Sequence, residues 1–98
     1  MLKIAICDDT REERELVEQY ARHYFEARKR PAEFEIFDSV QAVLDTGTSY
    51  DLYLLDVLMP GKSGIQGAAD LLKLYSDPVI IFTVSYTHLR AHETRRHL

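Results

Sequence analysis

Aspartates follow two separate, largely apolar stretches of this 98-residue chain. Asp8 and Asp9 come directly after the run 2–7, and Asp56 comes directly after the run 52–55. Short runs of this kind predict buried strands of a parallel sheet, whose carboxyl ends meet at one edge, where open α/β sheets place their ligands. We therefore expect the three carboxylates to lie close together.

Neighbouring carboxylates repel one another unless protons or a cation neutralise them. Hard oxygen ligands with open positions suit Mg²⁺, which usually keeps several waters and shares a phosphate. The chemistry indicated is therefore phosphoryl transfer. The alternative is that each aspartate only caps a helix or begins a turn, as aspartates after strands often do. The occurrence of both acidic segments in one chain favours a cation site over a purely structural role of each aspartate.

Two motifs that contain these aspartates resemble the receiver domain of bacterial two-component response regulators. They are Ile4-Ala5-Ile6-Cys7-Asp8-Asp9 and Asp56-Val57-Leu58-Met59-Pro60-Gly61-Lys62-Ser63-Gly64. The resemblance runs from residue 1 to about residue 83. It implies an α/β fold of the flavodoxin-like type, a doubly wound parallel sheet, here incomplete, with four strands in the order 2-1-3-4.

The resemblance also implies roles for individual residues. Asp56 would be the phosphoacceptor and a ligand of Mg²⁺, with Asp9 a direct ligand and Asp8 a ligand through water. The backbone carbonyl of Leu58 would be a further ligand, and Thr83 would contact the phosphoryl group. The chain would then be a signalling domain that catalyses at most its own phosphorylation and dephosphorylation.

The resemblance implies two partners. The phosphoryl donor would be a phosphohistidine of a sensor histidine kinase, and the response would pass to an output DNA-binding domain that these residues do not contain. Cys7 in the first motif and the segment 53–56 are similar to receivers coupled to LytTR-type DNA-binding domains. The oligomeric state stays open, dimerisation included.

The segments around the motifs predict a regular alternation of strands and helices. Thr10 with Glu13 fits a capping box that starts a long helix, which ends before the basic cluster 28–30. The segment 33–37 predicts a strand near an edge, and Ser39 offers a cap for a short helix.

Two further elements are expected after the third strand. A helix following Gly64 would bury an apolar face made of Ile65, Ala68, Ala69 and Leu72. The continuous apolar run 79–82 then predicts a central parallel strand.

Composition limits the remaining function classes. With 46% hydrophobic and 29% charged residues, the chain fits one small globular domain, and its single cysteine, Cys7, cannot form an internal disulfide. A net charge of −4 without a basic stripe before Val84 argues against direct nucleic-acid binding. No apolar run is long enough to span a bilayer or to form a signal peptide, so no membrane association and a cytoplasmic location are expected.

The last segment, 84–98, departs from the receiver pattern. Residues 84–94 can be back-translated to a transposase adapter used to build sequencing libraries. We therefore expect a receiver portion at 1–83 and, at 84–98, a tail of non-native origin made of translated adapter followed by index sequence. The tail contains Arg90, Arg95 and Arg96 but only one acidic residue. The alternative is a natural basic helix that contains a histidine pair at i and i+4.

Three other functions compete with the receiver. A Mg²⁺-dependent aspartyl-phosphate hydrolase usually has its nucleophile in a D-x-D motif on the first strand, whereas 8–10 reads D-D-T. A dinucleotide-binding domain needs a glycine-rich turn at that place. A phosphorylation-independent interaction module of the same fold is compatible with the sequence, because fold does not fix function.

Overall fold

The computed structural model describes residues 1–84, in which seven elements alternate. They are β1 (Leu2–Cys7), α1 (Arg11–Ala27), β2 (Ala32–Phe37), α2 (Val40–Asp45), β3 (Leu52–Asp56), α3 (Gly64–Leu74) and β4 (Ile80–Thr83). The strands form one parallel sheet in the order β2-β1-β3-β4, which confirms the predicted fold class and strand order. The predicted tail, apart from Val84, lies outside the described residues.

The main core lies between one face of the sheet and helices α2 and α3. Because side chains alternate along a strand, Ala5 and Cys7 of β1 project to the same face as Tyr53 and Leu55 of β3. All four are fully buried within one cluster. In residues 1–84, no helix is long and apolar enough to cross a bilayer.

Helix α1 begins where it was predicted, but its predicted capping box is wrong. Thr10 is the N-cap residue, yet its side chain makes no cap hydrogen bond. Its backbone N–H instead donates to Oδ1 of Asp8 at 2.9 Å, so the carboxylate of the preceding strand end shapes this turn. A complete capping box occurs at α3, between Ser63 and Gln66.

The opposite face of the sheet is only partly covered. No residue of α1 is buried, and Tyr20 in this helix is 68% exposed. An apolar groove of about 650 Å³ lies between α1 and strands β3 and β4. The apolar run 79–82 contributes to a parallel strand as predicted, but in the described residues β4 lies at an edge, as the predicted order 2-1-3-4 places it: it pairs only with β3, and Ile81 is half exposed.

The predicted apolar face of α3 is also wrong, except at Ala68. Ile65 and Leu72 are about 60% exposed, and the buried positions are Gly64, Gly67, Ala68 and Leu71. The cause is close helix packing: a Cβ atom at Gly67 would collide with the side chain of Val40 in α2. The helix therefore turns Gly64 and Gly67 inward, and the buried face is rotated away from Ile65 and Leu72.

Candidate functional site

The three aspartates meet at the carboxyl edge of the sheet. Strands β1 and β3 are neighbours, and their register pairs Cys7 with Leu55, so Asp8 and Asp56 stand at adjacent strand ends. One carboxylate oxygen from each of Asp8, Asp9 and Asp56 lies within 4.8 Å of the others. The expected proximity is thus present, formed by two segments 47 residues apart in the chain.

Asp8 is held by three hydrogen bonds. Its backbone N–H donates to the carbonyl of Phe37 at the end of β2, at 3.1 Å. Its Oδ1 accepts from the backbone of Thr10, and its own carbonyl accepts from Nη1 of Arg14, each at 2.9 Å. With only 2% of its surface exposed, Asp8 has a fixed position at the junction of β1 and α1.

Asp56 is completely buried, and its two oxygens have different surroundings. Oδ1 accepts a hydrogen bond from the backbone N–H of Leu58 at 3.3 Å. Oδ2 is enclosed without a hydrogen-bond partner among the described residues. A buried carboxylate oxygen without a hydrogen-bond partner destabilises the folded state. Binding of a proton or a cation at Oδ2 would remove this destabilisation.

The electrostatics of the cluster agree with this geometry. Burial raises the pKa of Asp56 to about 6, and the negative charges of Asp8 and Asp9 add to the rise. Burial and the charge of Asp9 likewise raise the pKa of Asp8, against the hydrogen bond from Thr10. Both shifts arise first from burial and then from the neighbouring negative charges, and a divalent cation bound at the cluster would favour the ionised carboxylates against both effects.

A cavity of about 320 Å³ opens beside the cluster. It is lined by Asp9, Val57, Leu58, Met59, Pro60 and Ser63. Carboxylates with an enclosed, unpartnered oxygen next to such a space match the ligand preferences of a hard divalent cation. Asp8, Asp9 and Asp56 are the side chains that could hold one; a ligand role for the backbone carbonyl of Leu58 stays a prediction.

The loop between β3 and α3 is fixed by an ion pair and a backbone hydrogen bond that the sequence did not indicate. Lys62 forms an ion pair with Asp70 of α3, and the pair lowers the pKa of Asp70. Gly61 has a positive φ of 75°, which L side chains rarely adopt. The amide of Gly64 donates to the carbonyl of Val57 at 3.3 Å. The eight-residue separation of Lys62 and Asp70 exceeds the usual helical spacing, so no simple pattern signalled their pairing.

Thr83 lies beside Asp56 in the sheet. The two residues are register partners in β4 and β3, so their side chains project from the same face. The backbone N–H of Val57 donates to the carbonyl of Thr83 at 2.9 Å. Contact of its hydroxyl with a phosphoryl group stays a prediction.

Comparison with known proteins gives structural neighbours only, since no family model and no curated protein matches. The response regulator TrrA from Thermotoga maritima, solved in complex with Mg²⁺-BeF, has a TM-score of 0.74 at 29% identity, over 93% of this chain and 76% of TrrA. The BeF₃-activated DrrB receiver domain has a TM-score of 0.72 at 19% identity, over 86% of this chain and 66% of that chain.

A third neighbour comes from a crystal structure of the histidine kinase ThkA in complex with TrrA. It has a TM-score of 0.69 at 22% identity, over 97% of each chain. The chain spans about three quarters of TrrA and two thirds of the DrrB chain. The resemblance drawn from the two acidic motifs is thereby confirmed.

Proposed function

We propose that this chain, a response regulator receiver domain by its fold, accepts a phosphoryl group on Asp56 from a phosphohistidine of a sensor kinase. The observation that carries the proposal is the cluster of Asp8, Asp9 and Asp56, in which one carboxylate oxygen from each residue lies within 4.8 Å of the others although the residues come from two separate segments. Mg²⁺ is the proposed cofactor, held by Asp8, Asp9, Asp56 and the carbonyl of Leu58.

In the proposed reaction an oxygen of Asp56 attacks the phosphorus atom. A P–O bond forms as the P–N bond breaks, and the imidazole nitrogen takes back the electron pair. Mg²⁺, when bound, would offset the negative charge that the phosphoryl group brings into the cluster. The N–H of Leu58 orients the attacking carboxylate, and Thr83 is proposed to contact the transferred group.

The wider assignment rests on the same proposal. The ThkA–TrrA complex supports a histidine kinase as the partner of this chain. An output DNA-binding domain, a cytoplasmic location, a receiver portion at 1–83 and a non-native tail at 84–98 belong to the proposal as well. The activity is that of a phosphoacceptor, not of an enzyme acting on a separate substrate.

Labelling with a small radioactive phosphodonor such as acetyl phosphate tests the acceptor. Wild type should take up label in the presence of Mg²⁺, and the label should be lost on treatment with hydroxylamine, as acyl phosphates are. Asp56→Asn should abolish uptake, and Asp9→Asn should reduce it by weakening metal binding. Asp38→Asn is the matched control, because Asp38 is an exposed carboxylate that follows β2 at the same sheet edge.

The enclosure of Asp56 favours one second candidate, an interaction module that works without phosphorylation. In that case no label would enter wild type under any donor or metal condition. Label that persists in Asp56→Asn would place the acceptor elsewhere. Steady release of phosphate from phosphomonoesters would instead support the hydrolase.

A further inference from the structure

Arg14 joins helix α1 to the acidic strand end. It is the fourth residue of α1, it is half-buried, and its Nη1 donates to the backbone carbonyl of Asp8 at 2.9 Å. The other arginines in the body of this helix, Arg11 and Arg22, instead pair with glutamates one turn away. Arg14 forms no ion pair among residues 1–84, and its hydrogen bond leads directly to the proposed metal site.

The contact completes the fixation of Asp8. The amide and the Oδ1 atom of Asp8 are held by the backbone of Phe37 and Thr10, so the carbonyl is the remaining polar group that sets the orientation of this peptide. The next residue along the chain is Asp9, and a change in the ψ angle of Asp8, which turns this carbonyl, would redirect the carboxylate of Asp9 relative to that of Asp8. A side chain that fixes this carbonyl therefore controls the direction in which two proposed ligands point.

We infer that Arg14 is a positioning residue for the cation site, holding the Asp8–Asp9 peptide so that both carboxylates face Asp56. The inference rests on the proposed function. The guanidinium acts in two ways. Its N–H group fixes the carbonyl of Asp8, and its positive charge lies near the segment that contains the two negative charges of Asp8 and Asp9. Substitution by lysine or glutamine should separate the contribution of the positive charge from that of the hydrogen bond.

The test measures the Kd of the protein for Mn²⁺, a paramagnetic substitute for Mg²⁺, together with the free energy of unfolding without metal. Arg14→Ala should raise the Kd about tenfold, as loss of a residue that orients a metal ligand does. Arg14→Lys keeps the positive charge and should recover part of the affinity for Mn²⁺. Arg14→Gln keeps a hydrogen-bond donor without the charge, so its Kd shows how much of the affinity depends on the hydrogen bond alone. Arg11→Ala and Arg22→Ala, exposed on the same helix, should leave the Kd unchanged.

The outcomes distinguish this inference from the proposed function. If wild type binds no divalent cation, the proposed function is overturned and the inference with it. If wild type binds and Arg14→Ala binds equally well, only the inference fails. If all three Arg14 variants are less stable but bind Mn²⁺ with an unchanged Kd, Arg14 only holds α1 against the sheet, and the inference is also overturned. If Arg14→Ala does not fold, the Kd values of Arg14→Lys and Arg14→Gln are compared with that of wild type instead.

Discussion

Gly64 lies against the backbone of Asp56. A Cβ atom at residue 64 would overlap the carbonyl oxygen of Asp56 and crowd Cα of Val57. Glycine is therefore the residue that lets the first turn of α3 approach the end of β3 and close the loop beside the acidic cluster. The approach links the packing of a helix to the geometry of the candidate acceptor.

Gly64→Ala should destabilise the protein by about 1–3 kcal/mol, because the added methyl group forces the helix and strand apart. Phosphoacceptor activity should also fall, since the displaced loop contains Leu58. Urea unfolding and labelling measure the two effects. Gly47→Ala is the control: Gly47 has a φ of 64° with open space around its Cα, so only backbone strain of about 1–2 kcal/mol is expected and labelling should be unchanged.

Asp56→Asn should stabilise the metal-free protein at neutral pH. Burial raises the pKa of Asp56 from 3.8 to about 6, so the folded state holds this proton more tightly than the unfolded chain. The contribution of Asp56 to stability therefore falls as pH rises from about 4 to about 6, and the full cost is present at pH 7. That cost is about 3 kcal/mol, at about 1.4 kcal/mol for each pKa unit.

Urea unfolding of wild type and Asp56→Asn in the presence of a chelator checks this prediction. The difference in unfolding free energy should be small at pH 4 and should grow to its full value by pH 7. An equal difference at all pH values would show that the substitution acts through packing alone. Adding Mg²⁺ should narrow the gap by stabilising wild type through mass action.

The capping residues of α1 and α3 should respond differently to alanine. Ser63→Ala removes a side-chain acceptor for the amide of Gln66 and should cost about 1 kcal/mol. Thr10→Ala should cost less, because the Thr10 side chain makes no cap hydrogen bond. Thermal unfolding of both variants compares them directly, and equal losses would contradict the assigned caps.

The rotated face of α3 can be tested with two adjacent leucines. Leu71 is 1% exposed in the core, so Leu71→Ala should cost about 2–5 kcal/mol through lost burial and a residual cavity. Leu72 is 62% exposed, and Leu72→Ala should change stability by less than about 0.5 kcal/mol. A reversed order of the two effects would restore the face predicted from the sequence.

The sequence predicted the sheet and the acidic cluster because both depend on strong local signals. Apolar runs followed by aspartate predicted parallel strands whose carboxyl ends meet at one edge, and the predicted proximity of Asp8, Asp9 and Asp56 is present. The face of α3 could not be predicted from hydrophobicity alone, because Gly67 is buried by its small size against α2 and not by its apolar character.

Other features depended on contacts between distant segments. Thr10 offered a capping box by its spacing from Glu13, but the carboxylate of Asp8, fixed by β2, occupies the turn instead. The ion pair of Lys62 with Asp70 and the hydrogen bond of Arg14 to the carbonyl of Asp8 likewise arise only once the chain is folded. The edge position of β4 followed from the order 2-1-3-4 that the receiver resemblance implied, whereas an apolar run by itself does not encode it.

The enclosure of Asp56 Oδ2 has a kinetic consequence. A donor can reach this atom only when the surrounding segments move apart, so opening must come before transfer. With increasing donor the observed rate should reach a plateau set by the opening step, and that plateau should be the same for chemically different donors.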